Sequence, residues 1–166
     1  MKGQGEIIAF ILLLLIGLLL FAAATMWSRG IFQENVDFSN MEVAEKFMKD
    51  LDDSISSVIK FGGMKELDFV SEGTIEILNS NTIEVRIPSS LSLQESWVNI
   101  SENGSYIREM YDGEDIILQL VYPESDYRVN FFTEDLSLAQ PEYIKIEKDS
   151  TYIGAVSVIK IKISFV

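Results

Sequence analysis

The chain has 166 residues, a formal net charge of −13 at pH 7, and neither cysteine nor histidine. Its length allows one membrane segment and one domain of ordinary size. The lack of both residue types excludes disulfides, thiolate nucleophiles, imidazole bases and metal sites built on nitrogen or sulfur ligands.

The charge is unevenly distributed along the chain. Residues 1–30 contain Lys2, Arg29 and Glu6, a net of +1, so the rest carries 11 basic and 25 acidic side chains, a net of −14. A surface this acidic repels phosphate backbones, and we therefore expect no nucleic-acid partner.

The first predicted element is an apolar helix. No charged residue occurs between Ile7 and Trp27, a run of 21 residues. At about 1.5 Å per residue this helix is roughly 30 Å long, which matches the hydrocarbon core of a bilayer. We expect the membrane as a partner and an extracytoplasmic location for residues 30–166, with Lys2 on the inner side.

Three interpretations of this segment remain open. It is a permanent anchor, a secretory signal cut after Ala22–Ala24, or a leader whose helix stays on the mature chain. An acid at the start of the apolar run, Glu6, argues against the second interpretation.

The start of the chain, Met1-Lys2-Gly3-Gln4-Gly5-Glu6 before an apolar helix, resembles the class III signal peptides of archaeal type IV pilin-like proteins. In that family a prepilin peptidase cuts after a small residue that follows a basic one, and the helix then packs in a filament core. The resemblance implies that Gly3 ends the leader, that Gln4 begins the mature chain and that Glu6 pairs subunits. The family's glutamate is usually fifth in the mature chain, whereas Glu6 would be third.

Glu6 has two physical interpretations. A carboxylate beside an apolar helix is costly unless it is paired, and the α-amino group of Gln4, from its own chain or a neighbouring one, would pair it. Alternatively Glu6 is solvated at the cytoplasmic interface, where the helix N-terminus favours negative charge.

An amphipathic helix is predicted next. A capping box at Ser39–Glu42 allows a helix to begin there, and Gly62-Gly63 predicts its end. No proline precedes Pro88, so residues 4–61 can also form one helix, loosened near Gly30 and Asn35–Asn40. Apolar residues recur at three- and four-residue steps along one face: Met41, Ala44, Phe47, Met48, Leu51, Ile55, Val58 and Ile59.

From Thr74 onward apolar and polar residues alternate, which predicts strands. The fold class is therefore α+β: a long apolar-then-amphipathic helix packed on an antiparallel, β-sandwich-like C-terminal domain. The last strand, with lysines between apolar residues, is expected to close a sheet as an edge protected by those lysines. A strand donated to a neighbouring subunit would show the same pattern. The predicted strands are Thr74–Leu78, Thr82–Ile87, Trp97–Ser101, Tyr106–Tyr111, Asp115–Tyr122, Tyr127–Phe132, Tyr143–Lys148 and Ala155–Phe165. The predicted domains are residues 1–3 (leader), 4–30 (membrane or filament-core helix), 31–63 (amphipathic helix) and 64–166 (β-rich).

Few motifs carry chemistry. Asp112–Asp115 is the best of the acidic clusters for calcium, but it lacks EF-hand spacing and is more typical of a hairpin turn. Asn99 and Asn103 begin sequons for N-glycosylation, although ordinary polar loops contain such triplets too. No phosphate loop or nucleophile elbow occurs. We expect no catalytic residue, no cofactor, no metal and no enzyme activity.

These patterns favour a structural subunit of an archaeal type IV pilus-like surface filament. It would be a membrane precursor first and then a homo-polymer outside the cell, assembled through the N-terminal helix. The alternatives are a membrane-anchored, extracytoplasmic binding or adaptor domain of stator-like type, and a secreted domain released after Ala24.

Overall fold

The computed structural model describes residues 2–69, 72–91, 95–101, 106–123, 127–134 and 141–166. Within this part of the chain one helix, α1 (Lys2–Phe61), is followed by nine strands. The strands are β1 (Met64–Asp68), β2 (Thr74–Asn79), β3 (Thr82–Pro88), β4 (Val98–Asn99), β5 (Tyr106–Tyr111), β6 (Asp115–Val121), β7 (Tyr127–Phe132), β8 (Tyr143–Tyr152) and β9 (Ser157–Phe165).

The chain forms two compact units, Met1–Val36 and Asp37–Val166. In the first unit the described residues are helical throughout. The second unit contains the remainder of α1 and all nine strands. This arrangement confirms the predicted α+β class.

Helix α1 is unbroken through the positions where a weaker helix was expected. The capping box at Ser39–Glu42 lies inside the helix, because the preceding residues are already helical and leave no free N-terminus to cap. The predicted end is confirmed: Gly62 and Gly63 have φ angles of +71° and +83°. The N–H of Gly62 donates to the carbonyl of Val58 at 2.9 Å, which closes the last turn.

Two sheets make up the β part of the second unit. The five-stranded sheet has the order β2-β3-β6-β5-β4 and is antiparallel throughout. The four-stranded sheet has the order β1-β8-β9-β7. Strand β1 was not predicted, because most of its residues are exposed and show no alternation.

The four-stranded sheet corrects two expectations. Strands β7 and β9 pair in parallel, so this sheet is mixed rather than antiparallel. Strand β9 lies between β8 and β7 and is not an edge, so Lys160 and Lys162 occupy one face of an interior strand. Alternation along a strand fixes which side chains share a face, but it carries no information on neighbours or direction.

One hydrophobic core joins the predicted face of α1 to both sheets. Each buried valine, leucine, isoleucine, phenylalanine or methionine side chain contributes about 1.5–3 kcal/mol by leaving water, so the helix and the sheets stabilise one another. The helix supplies Ala44, Phe47, Met48, Leu51, Ile55 and Val58; the five-stranded sheet supplies Ile75, Ile83, Val85, Ile87, Ile107, Ile116, Leu118 and Leu120; the four-stranded sheet supplies Val129, Phe131, Ile144, Ile146, Ile159, Ile161 and Ile163.

A buried tyrosine links the helix to the five-stranded sheet. The hydroxyl of Tyr122, which directly follows β6, donates to the Asp52 carboxylate. Burial raises the pKa of the Tyr122 phenol well above its usual range, and the negative charge of Asp52 raises it further. The neutral phenol is therefore the form that the folded state favours.

We predict that Tyr122→Phe lowers the free energy of unfolding by about 1.5–3 kcal/mol, because the variant loses a hydrogen bond to a charged group. Because the folded pKa is raised, the tyrosine's contribution is complete below the ordinary tyrosine pKa of about 10 and is lost as the pH rises above it. Urea unfolding of the full chain in detergent at neutral and alkaline pH measures both effects. The half-exposed Tyr106→Phe is the matched control and should leave the curve unchanged.

Candidate functional site

The apolar surface of α1 in the first unit is the most unusual feature of the described chain. Ile7, Leu13 and Phe21 are 61%, 70% and 68% exposed, and the large apolar side chains between them are exposed too. The helix is long and apolar enough to cross a membrane, and no part of its most apolar stretch is buried. Water-exposed apolar surface of this extent requires lipid or another protein to cover it.

The residues predicted for processing lie at the start of this helix. The backbone of Gly3, Gln4 and Glu6 belongs to α1. The side chains of Gln4 and Glu6 lie outside the described part of the structure. Cleavage after Gly3 and subunit pairing through Glu6 therefore stay predictions.

The two glycosylation sequons differ in what the structure describes. Asn99 is exposed on the short edge strand β4, and its side-chain oxygen accepts the N–H of Ser101 at 3.2 Å. The sequon's asparagine is thus at the surface. Asn103 lies outside the described residues.

A row of polar side chains crosses the outer face of the five-stranded sheet. The register places Glu84, Gln119 and Arg108 side by side on β3, β6 and β5. The Glu84 carboxylate accepts Gln119 Nε2 at 2.6 Å through one oxygen and Arg86 Nε at 2.6 Å through the other. Arg108 Nε and Nη2 donate to Gln119 Oε1 at 3.0 and 2.7 Å.

This row is a saturated network rather than a reactive centre. Glu84 is only 2% exposed and Gln119 is 5% exposed, yet each of their oxygens has a donor. The guanidinium of Arg108 also lies 4.4 Å from the centre of the Trp97 ring, a cation–π contact. These hydrogen bonds connect strands β3, β6 and β5 across the sheet.

The Asp112–Asp115 cluster forms a hairpin turn. Asp112 Oδ1 accepts the N–H groups of Glu114 and Asp115 at 3.1 and 2.9 Å, and Gly113 has a φ of +103°. These backbone hydrogen bonds hold the pKa of the Asp112 carboxyl below its usual range. The carboxylate that calcium would need is therefore engaged in the turn.

The carboxylate of Glu109 lies in a crevice between α1 and strands β4 and β5. The crevice has a volume of about 170 Å³ and is lined mainly by apolar side chains, Met41 and Val98 among them. Glu109 Oε2 is buried there without a hydrogen-bond partner among the described residues. Burial raises the pKa of the Glu109 carboxyl, the charge of Glu45 raises it further, and Lys49 opposes the shift.

Within the described ranges, no three histidine, cysteine, aspartate or glutamate side chains lie close enough together to hold a metal ion. In comparisons with known proteins, no family model, no curated protein and no solved structure matches this chain. The class that the fold defines is a single exposed apolar helix, able to anchor in a membrane, joined to an acidic α+β domain.

Sequence reasoning missed the polar row and the Glu109 crevice. The alternation along Thr82–Ile87 puts Glu84 and Arg86 on the face opposite its apolar residues. Whether Glu84 is buried there depends on which strands lie beside β3, and no local pattern in the sequence specifies those neighbours.

We predict that Glu84→Ala lowers the free energy of unfolding by about 1–3 kcal/mol, because the buried side-chain amide of Gln119 loses its acceptor. Glu76→Ala is the control, since Glu76 is the register partner of Glu84 on the neighbouring strand and is less buried. Urea denaturation of the full chain in detergent measures both. Equal losses for the two variants would contradict the assignment of the network.

Proposed function

We propose that this chain is a structural subunit of an archaeal type IV pilus-like surface filament, assembled through α1. The observation that carries the proposal is the continuity of the helix. Residues exposed and apolar on all sides, from Ile7 to Trp27, continue within one helix into the segment whose face belongs to the domain core. A filament spine needs both halves.

The energetics favour assembly with copies of the same helix. In lipid, apolar helices gain little from one another, because the acyl chains are equally apolar. Once the helices leave the bilayer, burial against neighbouring copies gains about 25 cal/mol for each Å² removed from water. In this proposal the precursor lies in the cell membrane, and the acidic domain remains in water throughout.

A membrane-anchored binding or adaptor protein of stator-like type is the second candidate. The exposed edge of the five-stranded sheet favours it, since Trp97, Tyr106 and Arg108 line a shallow groove there. Aromatic and arginine side chains dominate protein-binding surfaces. Such a protein keeps its first residues and stays in the membrane fraction.

Processing separates the two candidates. We predict that the native chain begins at Gln4, that Gly3→Phe accumulates uncut in the membrane, and that Gly3→Ala is still cut because a small residue remains. N-terminal mass spectrometry of the protein from membranes and from sheared cell surfaces measures all three. A native chain that begins at Met1, with no fibres in electron micrographs, supports the adaptor instead.

If the domain is extracellular, the two sequons make N-glycosylation the expected modification. We predict that the peptide containing Asn99 carries a glycan mass, and that Asn99→Gln and Ser101→Ala both remove it, because each destroys the same sequon. Asn103→Gln tests the second sequon separately. Intact-protein mass spectrometry reads the result, and an unmodified native chain contradicts the prediction.

A further inference from the structure

An apolar tip projects from the second unit at the turn between β8 and β9. Its large side chains are Tyr152, Ile153 and Val156, which are all exposed, Ile153 to 89%. The run from Ser150 to Ile159 contains no charge and is the longest such run after the N-terminal segment, in a chain with 23% charged residues. Exposed apolar side chains on an acidic domain mark an interaction surface.

Strand contacts show which way the tip points. Strand β1 runs back along α1, since Phe69, just after β1, packs its ring edge-on against Phe47 with ring centres 5.1 Å apart. Strand β8 is antiparallel to β1 and therefore runs in the direction of α1.

The same contacts place the tip beyond the end of α1. Lys148 Nζ donates to the carbonyl of Ile59 at 3.2 Å, so Lys148 lies level with the last helical turn. Strand β8 then continues to Tyr152, about 13 Å further at 3.3 Å per residue. The tip therefore stands clear of the helix end.

A second apolar patch lies at the opposite end of this unit, where its part of α1 begins. Asp37 attaches the helix to the domain at that end. It is 3% exposed, and its Oδ2 accepts the N–H and the hydroxyl of Ser90 at 2.8 and 2.5 Å. Phe38 is exposed on the helix there, and the partly buried Met41 lies about one turn further along it. The exposed Val98 belongs to this end because it shares a crevice with Met41 of the same helical turns.

We propose that the tip (Tyr152, Ile153 and Val156) of one copy docks on this receiving end (Phe38, Met41 and Val98) of the next copy. The proposal rests on the filament function and names the contact between neighbouring domains. Because the two patches are different surfaces at opposite ends of one unit, the contact is head-to-tail and does not close a two-fold dimer; it extends as an open filament where the rotation between copies does not close a ring.

The size of the crevice suits this contact. The crevice at the receiving end holds about 170 Å³. An apolar cavity of about 150 Å³ accommodates benzene, so an isoleucine side chain fits.

Charge explains why an uncharged tip is needed. Residues 31–166 carry a net charge of −14, so neighbouring domains repel each other wherever their acidic loops face one another. The Ser150–Ile159 run has no charge, so the tip brings no further carboxylate to a receiving end that already contains Glu109.

Disulfide cross-linking tests the contact. The native chain has no cysteine, so no disulfide forms except through the introduced residues. Two full-length variants with different tags, Ile153→Cys and Val98→Cys, are expressed together in the native host and oxidised at the cell surface. We expect a mixed cross-linked dimer that contains both tags. The matched control replaces Ile153→Cys with Leu78→Cys, a half-exposed residue outside both patches, and should give none.

Each outcome decides the proposal. A cross-link between two Ile153→Cys chains, or no cross-link above the Leu78→Cys control, overturns the head-to-tail contact. If fibres form without the mixed cross-link, the contact fails while the filament function stands. If the chain begins at Met1 and no fibres form, the filament function is wrong. The mixed cross-link, measured on the protein in membranes, then tests the contact between domains independently of that function.

A charge substitution gives a second measurement. Ile153→Asp should abolish the fibres released by shearing, whereas Leu78→Asp should leave their yield unchanged. Because Ile153 is almost fully exposed, the thermal unfolding midpoint of the variant chain should match the native one, which separates loss of docking from loss of fold. Normal fibres from Ile153→Asp overturn the proposal.

Discussion

The structure depends on a change in how α1 meets its surroundings. From Ile7 to Trp27 the helix is apolar on every side, and its large apolar side chains are exposed. From Ala44 to Val58 the helix has one apolar face that is buried against both sheets. An amphipathic face is satisfied by its own chain, whereas an all-round apolar surface needs lipid or other helices. The first part of the helix therefore requires partners from outside its own chain, and the second part packs within the domain and stabilises it.

The second unit shows how an acidic domain keeps its charge from disrupting the fold. Most polar groups that enter its interior are paired: Asp37 with Ser90, Glu84 with Gln119, and the Tyr122 hydroxyl with Asp52. Each of these hydrogen bonds joins segments that are distant in the chain, so the pairing of polar groups also stabilises the tertiary structure. Glu109 is the contrast, with a buried oxygen that has no partner among the described residues.

The two proposals describe different levels of one assembly. The apolar helix would provide cohesion along the spine, where burial is large and has no defined direction. The β8–β9 tip and the receiving end would set the orientation of neighbouring domains, because two unlike patches fit only in one orientation. A surface with a net charge of −14 limits other contacts between domains and keeps the assembled subunits soluble.

The sequence by itself determined the exposed apolar helix, the buried face from Ala44 to Val58, the helix end at Gly62 and the approximate positions of eight strands. These features depend on local composition and period, which a single chain segment contains. Tertiary structure alone decided the parallel pairing of β7 with β9, the interior place of β9 and the unpredicted β1. It also decided that Glu84 is buried and that Ile153 is exposed, although one is charged and the other apolar. Strand neighbours and the reach of a hairpin beyond the core arise from contacts between distant segments, and no local pattern encodes them.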